Sequence, residues 1–167
     1  MSVDIVVFES FRSCLLQHCP FLANMMQEPH DKEELQVILN KLGIDDPSFR
    51  TLFQLTNGIE NDGQFPTRAY DFCGFGVIPT IEYIAELYNN ENSIEDWEKT
   101  KLPVITSFGG DFFLLETAGV NSGKIYLYCP TFGYVDFLPT YYDSMDSMFK
   151  TIIACFEIGA LAIRSFR

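Results

Sequence analysis

From Leu102 to Phe137 the chain carries four short apolar runs, Val104 to Phe108, Phe112 to Glu116, Lys124 to Cys129 and Tyr134 to Phe137. The turns between them are Gly109-Gly110, Asn121-Ser122-Gly123 and Pro130-Thr131-Phe132-Gly133. Runs of that length at that spacing predict strands joined as an antiparallel meander. Phe112-Phe113-Leu114-Leu115 does not alternate between apolar and polar, so this strand is predicted to be central and covered on both faces. Such a strand requires helices nearby.

The helices are legible on either side. Phe8, Phe11, Leu15, Leu22 and Met26 recur at helical intervals, with Pro20 ending or restarting the helix because it lacks a donor and crowds the preceding turn. A second helix is expected from a cap at Asp31 through Leu35, Ile38, Leu39 and Leu42 to a stop at Gly43. Pro47 suits a first helical position, and Phe49, Leu52 and Phe53 continue an apolar face up to a turn at Asn57-Gly58. Asp71 to Ile78 reads as extended, its glycines marking a bulge or a close backbone approach. Pro79 is expected to open a helix whose Ile81, Ile84, Ala85 and Tyr88 form one stripe. A last helix, capped by Asp143 or Ser144, presents Met145, Phe149, Ile152, Phe156 and Ala160.

Its 167 residues, 47% hydrophobic, suffice for one domain with a sizeable core and argue against disorder. The five cysteines include no C-x-x-C pair, which points to a reducing compartment. Met1 to Phe8 lacks the basic and apolar regions of a signal peptide, and no apolar run approaches the roughly 18 residues of a membrane span. A cytoplasmic protein without membrane contact is expected.

Charge supplies the functional clue. Eleven basic and 23 acidic side chains give a formal charge of −12, which repels phosphate backbones over a Debye length of about 8 Å and makes nucleic acid an unsuitable ligand. The excess is concentrated: residues 57 to 98 hold Glu60, Asp62, Asp71, Glu82, Glu86, Glu91, Glu95, Asp96 and Glu98 against Arg68 alone. Glu82 and Glu86 are like charges one helical turn apart, at a cost of about 0.2 to 0.5 kcal/mol in an isolated helix. Such a field favours a basic partner, although a solvated helix face explains the same residues.

Catalytic constellations are sparse. His18 and His30 are the only histidines, and Cys14 with His18 supplies two ligands where a structural zinc site uses four. Gly74-Phe75-Gly76 lacks the third glycine of a dinucleotide loop, and Gly109-Gly110 lacks the Lys-Ser/Thr of a phosphate loop. Asp111, Glu116 and Asp136 read as strand-end and turn carboxylates rather than an acid/base pair. No catalytic residue, metal or cofactor is expected.

The order of motifs resembles the SMI1/KNR4 family, the SUKH superfamily. Pro47-Ser48-Phe49-Arg50-Thr51-Leu52-Phe53-Gln54-Leu55-Thr56-Asn57-Gly58 is similar to its helix ending in Asn-Gly. Val77-Ile78-Pro79-Thr80-Ile81-Glu82-Tyr83-Ile84 is similar to the strand that leads into its next helix. Trp97 follows, then Pro103 to Leu115 with the Gly109-Gly110-Asp111 turn, Gly123 to Tyr128, and the closing helix Asp143 to Leu161. The resemblance implies an α+β fold, a mainly antiparallel β-sheet meander flanked by N-terminal helices and a C-terminal helix, in a single domain over 1–167 with 1–44 as an N-terminal helical extension. It also implies a non-enzymatic immunity protein that neutralises a cognate bacterial toxin, frequently a nuclease. Combined with the charge, the expected contact face for a basic toxin domain comprises Asp62, Asp71, Glu82, Glu86, Glu91, Glu95, Asp96 and Glu98, with Tyr83 as an aromatic anchor. The alternative is a regulatory or scaffolding module that binds a protein other than a toxin.

Overall fold

Five of the six described α-helices begin where a side chain satisfies a free amide group of the first turn, the short α-helix that starts at Pro20 being the exception. In the computed structural model, which describes residues 3–64, 70–72, 76–89, 100–129 and 140–158, Asp4 opens α1 (Ile5–His18) by accepting a hydrogen bond from the Val6 amide at 2.8 Å. Pro20 ends that helix and restarts the chain as the first residue of α2 (Pro20–Met25). The helix α3 (Lys32–Leu42) has the predicted bounds: Asp31 accepts from the Glu34 amide, and Gly43 closes it at φ 68°, a conformation that glycine adopts without steric cost. Asp46 caps α4 (Pro47–Leu55), whose first residue is the proline anticipated there.

The helix α5 (Ile81–Asn89) starts later than Pro79. Pro79 is held beside Ile59 in a parallel bridge, and Thr80 takes the capping position, its hydroxyl accepting from the Tyr83 amide at 3.2 Å. At α6 (Met145–Glu157) the cap is Ser144, which forms a reciprocal box with Ser147.

The sheet is an antiparallel meander of β1 (Lys101–Thr106), β2 (Phe112–Glu116), β3 (Ile125–Tyr128) and β4 (Thr140–Tyr142), in that spatial order. Leu102 lies opposite Leu115, and Phe113 opposite Leu127. The first strand begins before Val104, with an irregularity between Pro103 and Ile105. A proline is tolerated there because β1 is at the edge of this sheet, where one side of the strand needs no ladder donor. Beyond Pro103, Thr106 exchanges two backbone hydrogen bonds with Val77. The fourth described strand is Thr140–Tyr142; the predicted strand Tyr134 to Phe137 lies outside the described residues.

Every residue of β2 is buried, which explains its unbroken apolar run. Phe113 and Leu115 enter the main core, where Phe8, Phe11, Phe149 and Ile152 of α1 and α6 also lie. Phe112 and Leu114 face the other way and pack with Tyr128 against Tyr83 and Leu87 of α5. The fold is thus α+β, with helices on both sides of the sheet.

The N-terminal helices belong to that same core. Phe8 meets Phe149 edge-on at 5.5 Å, and Phe11 lies 4.9 Å from Phe149 and 5.3 Å from Phe72. Aromatic pairs of this kind add about 0.5 to 1.5 kcal/mol each beyond the area they bury. The amide of Asp4 also donates to Asp146 of α6 at 3.0 Å, and His18 stacks on Phe156, so α1 and α6 run side by side in one direction. Among the described residues no helix is long and apolar enough to cross a membrane. Cys14, Cys19, Cys129 and Cys155 are free thiols, and Cys73 lies outside the described residues.

Candidate functional site

The polar groups of widely separated segments converge on Asn57, the residue before the left-handed Gly58. Asn57 is 4% exposed, and both polar atoms of its side chain are hydrogen-bonded. The Asn57 Oδ1 accepts from the Ile81 amide at 3.0 Å, which fixes the amide orientation and leaves Nδ2 as a double donor. That nitrogen donates to Oε2 of Glu82 at 3.0 Å and to Oε1 of Gln27 at 3.2 Å. Gln27 in turn donates from Nε2 to Glu60 at 3.2 Å, while its backbone exchanges hydrogen bonds with Asn57 and Gly58. The Asn57-Gly58 turn therefore clamps the 27–30 segment against the start of α5.

His30 completes the cluster. Its Nε2 lies 2.5 Å from Oε1 of Glu82, and its Nδ1 lies 2.9 Å from Oε2 of Glu34 on α3. Burial alone disfavours charge on the ring, but the hydrogen bonds to Glu34 and Glu82, and the negative charge of both, outweigh it and raise the imidazole pKa above its ordinary 6.5. At Glu82 burial pushes the carboxyl upward; the Asn57 amide, the residue's own backbone N–H and His30 outweigh burial and hold it below the usual carboxylate value. The repulsion expected between Glu82 and Glu86 is correspondingly offset by a local cation and an amide.

The expected contact residues fall into linked groups. Glu82 and Glu86 are exposed on α5, and Glu34 and Glu60, omitted from the sequence-based set, join Glu82 through His30 and through Gln27 and Asn57. Asp62 accepts from the Tyr70 hydroxyl at 3.0 Å, and Asp71 accepts from the Gly76 amide at 3.2 Å. A row of rings connects Asp62 to α5: Tyr70 lies edge-on to Phe108 at 5.6 Å, and Phe108 edge-on to Tyr83 at 5.2 Å. Phe108 is the non-glycine residue with positive φ, 53°, among those described, held in the hairpin turn after β1. Tyr83 is half-buried and packs on the second face of the sheet, so only part of its ring is available to a partner. Burial raises its phenol pKa against a lowering hydrogen bond to Thr106, and the nearby charge of Glu86 adds to the rise. Glu91, Glu95, Asp96 and Glu98 lie outside the described residues.

Among the described residues, the Lys and Arg ion pairs are Arg12–Glu28 at 3.5 Å, Arg50–Asp45 at 2.6 Å and Lys101–Glu116 at 3.1 Å. None of these cations reaches Glu60, Glu82 or Glu86. Two clefts lie away from this cluster, one of about 600 Å³ beside Lys41, Asp45, Tyr88 and Thr117, and one of about 780 Å³ beside Val6, Ser10, Cys14 and Gln17. No set of three or more His, Cys, Asp or Glu side chains suited to a metal ion occurs among the described residues.

No signal in the sequence pairs His30 with Glu82, since 52 positions separate them and neither belongs to a spaced motif. The i,i+4 spacing of His30 and Glu34 and the Asn-Gly turn were the visible parts of the arrangement. No protein-family model matches the chain, and no curated protein matches it.

Proposed function

We propose that this chain is a non-enzymatic, SMI1/KNR4-like immunity protein of the cytoplasm that binds a cognate toxin through its acidic surface. The observation that carries the reading is the gathering of Glu34, Glu60 and Glu82, from three separate parts of the chain, around Asn57 and His30, with Glu86 one turn further along α5. Folding has brought like charges together, and His30 balances only part of that charge. A nuclease toxin carries a basic groove for phosphates, and an inhibitor with this surface gains association rate and partner choice by matching it. Asp62, Asp71, Glu86 and the exposed edge of Tyr83 supply the rim and the aromatic contact, and Glu91, Glu95, Asp96 and Glu98 extend the negative charge of the same sequence segment.

The test is to recover the bound protein from the native cell and measure its affinity for the purified chain against salt. The expected partner is a basic toxin domain whose activity the chain abolishes and whose binding weakens as ionic strength rises. Glu60→Lys, Asp62→Lys and Glu86→Lys together should lower that affinity at least tenfold with the circular dichroism unchanged. Unchanged affinity rejects this surface, and a partner without toxin activity favours the scaffolding module instead.

A further inference from the structure

The ring of His30 is bracketed by carboxylates from two helices, Glu34 of α3 at Nδ1 and Glu82 of α5 at Nε2. A neutral imidazole has one N–H and one lone pair, so it can donate to one of them only and must turn its lone pair toward the other. The imidazolium satisfies both. Asn57 does not relieve the conflict: its Nδ2 also lies 3.2 Å from Nε2, but a hydrogen given to a lone pair there would be withdrawn from Glu82 or Gln27 and would leave that lone pair still facing Oε1 of Glu82. The remaining charges around the ring do not substitute for the proton either. Glu60 is reached only through Gln27, Asp31 is occupied as the α3 cap, and Glu28 pairs with Arg12 of α1.

We propose that His30 is a proton-dependent brace between α3 and α5, closed by its imidazolium across Glu34 and Glu82 and opened by loss of the Nδ1 proton. The opening falls on the Glu34 side because the Nε2–H contact is the shorter one and Asn57 holds its acceptor in place. One proton leaves to solvent, the Nδ1–H···Oε2 contact is lost, and Nε2–H continues to donate to Glu82. The trio of Glu34, His30 and Glu82 then passes from one net negative charge to two. Histidine is the side chain whose charge can change in this way close to neutral pH. On the docking reading, on which this consequence alone rests, the acidic surface becomes more attractive to a basic partner as pH rises through the transition.

The test uses the isotopically labelled full chain without any partner, followed by NMR from about pH 5 to 9, a range that spans the ordinary imidazole transition. Both ring nitrogens of His30 should carry protons at the acid end, the midpoint should lie above 6.5, and the neutral ring should be the Nε2–H form. The amides of Glu34 and Glu82 should shift with that same midpoint. Glu34→Gln, on an exposed side chain, should move the His30 midpoint down, and His30→Gln should abolish the shared amide transition. A midpoint at or below 6.5, an Nδ1–H neutral ring, or α3 and α5 amides that ignore the transition would overturn the brace. Because no partner is present, failure of the docking reading leaves this result standing, and failure of the brace leaves the salt-dependent binding test unaffected.

Discussion

Asn57 caps α5 from 24 positions upstream, its Oδ1 accepting the Ile81 amide at 3.0 Å while its Nδ2 holds the Glu82 carboxylate. The donors of a helix's first turn have no partner within the helix, so a remote side chain can fill the place usually taken by a local cap. Here it also decides where α5 sits relative to the 27–30 segment. Asn57→Ala should destabilise the fold by about 2 kcal/mol, combining a lost cap with buried groups left unsatisfied. Asn57→Asp should cost at least as much, because it exchanges a donor to Glu82 for a second negative charge. Urea unfolding at neutral pH measures both.

Gly58 and Gly43 share nearly the same left-handed backbone, at φ 69° and 68°, yet their surroundings differ. A Cβ on Gly58 would lie 2.3 Å from the Pro79 carbonyl oxygen, whereas one on Gly43 meets nothing within 4 Å. Gly43→Ala should therefore cost only the left-handed backbone, about 1 to 2 kcal/mol. Gly58→Ala must also push the 78–79 backbone away and should cost about 3 kcal/mol or more, or prevent folding. Equal losses by thermal or urea unfolding would show that the approach of Gly58 to Pro79 does not matter to stability.

These two glycines also mark what a linear reading can and cannot recover. Gly43 follows a helical stripe and Asp31 precedes it, so local chemistry set both ends of α3. Phe112 to Leu115 likewise announced a strand buried on both faces. The start of α5 was displaced because Pro79 is held by Ile59, a tertiary constraint that overrides proline's ordinary preference for a first helical turn. At the site, Glu82 and Glu86 were visible as an acidic stripe, but the groups that restrain Glu82 come from positions 30 and 57. Periodicity reports which face of one helix is polar; it carries no information about which distant side chain meets that face.

Lys101 and Glu116 face each other across β1 and β2 at 3.1 Å, with their side chains only 13% and 11% exposed. Glu116 follows Phe112 and Leu114 on the same side of β2, so the pair ends an apolar row. Removing one partner leaves a charge largely cut off from water, and Glu116→Ala or Lys101→Ala should cost about 3 kcal/mol. Replacing both, as Lys101→Met with Glu116→Leu, should recover most of that loss because the two desolvation penalties vanish together. A double variant no more stable than the singles would mean that the pair serves some purpose other than mutual neutralisation.

The same logic of paired charges gives stability a defined pH window at His30 and Glu82. His30 has its pKa raised on folding, so its contribution is fully present below the ordinary value of 6.5 and is lost as pH climbs through the folded one. Glu82 has its pKa lowered, so its contribution is present above its ordinary 4.5 and is lost as pH falls through the folded one. Both contributions coexist between these limits. The stability advantage of the native chain over His30→Gln should therefore peak near pH 5 to 6, at about 1 kcal/mol given that Glu82 is half exposed and screened by solvent. It should shrink on the alkaline side as the imidazole loses its proton, and on the acid side as Glu82 gains one. Urea midpoints of the two proteins at intervals from about pH 4 to 8 trace this curve, and a difference that is constant with pH would mean that His30 is held by packing alone.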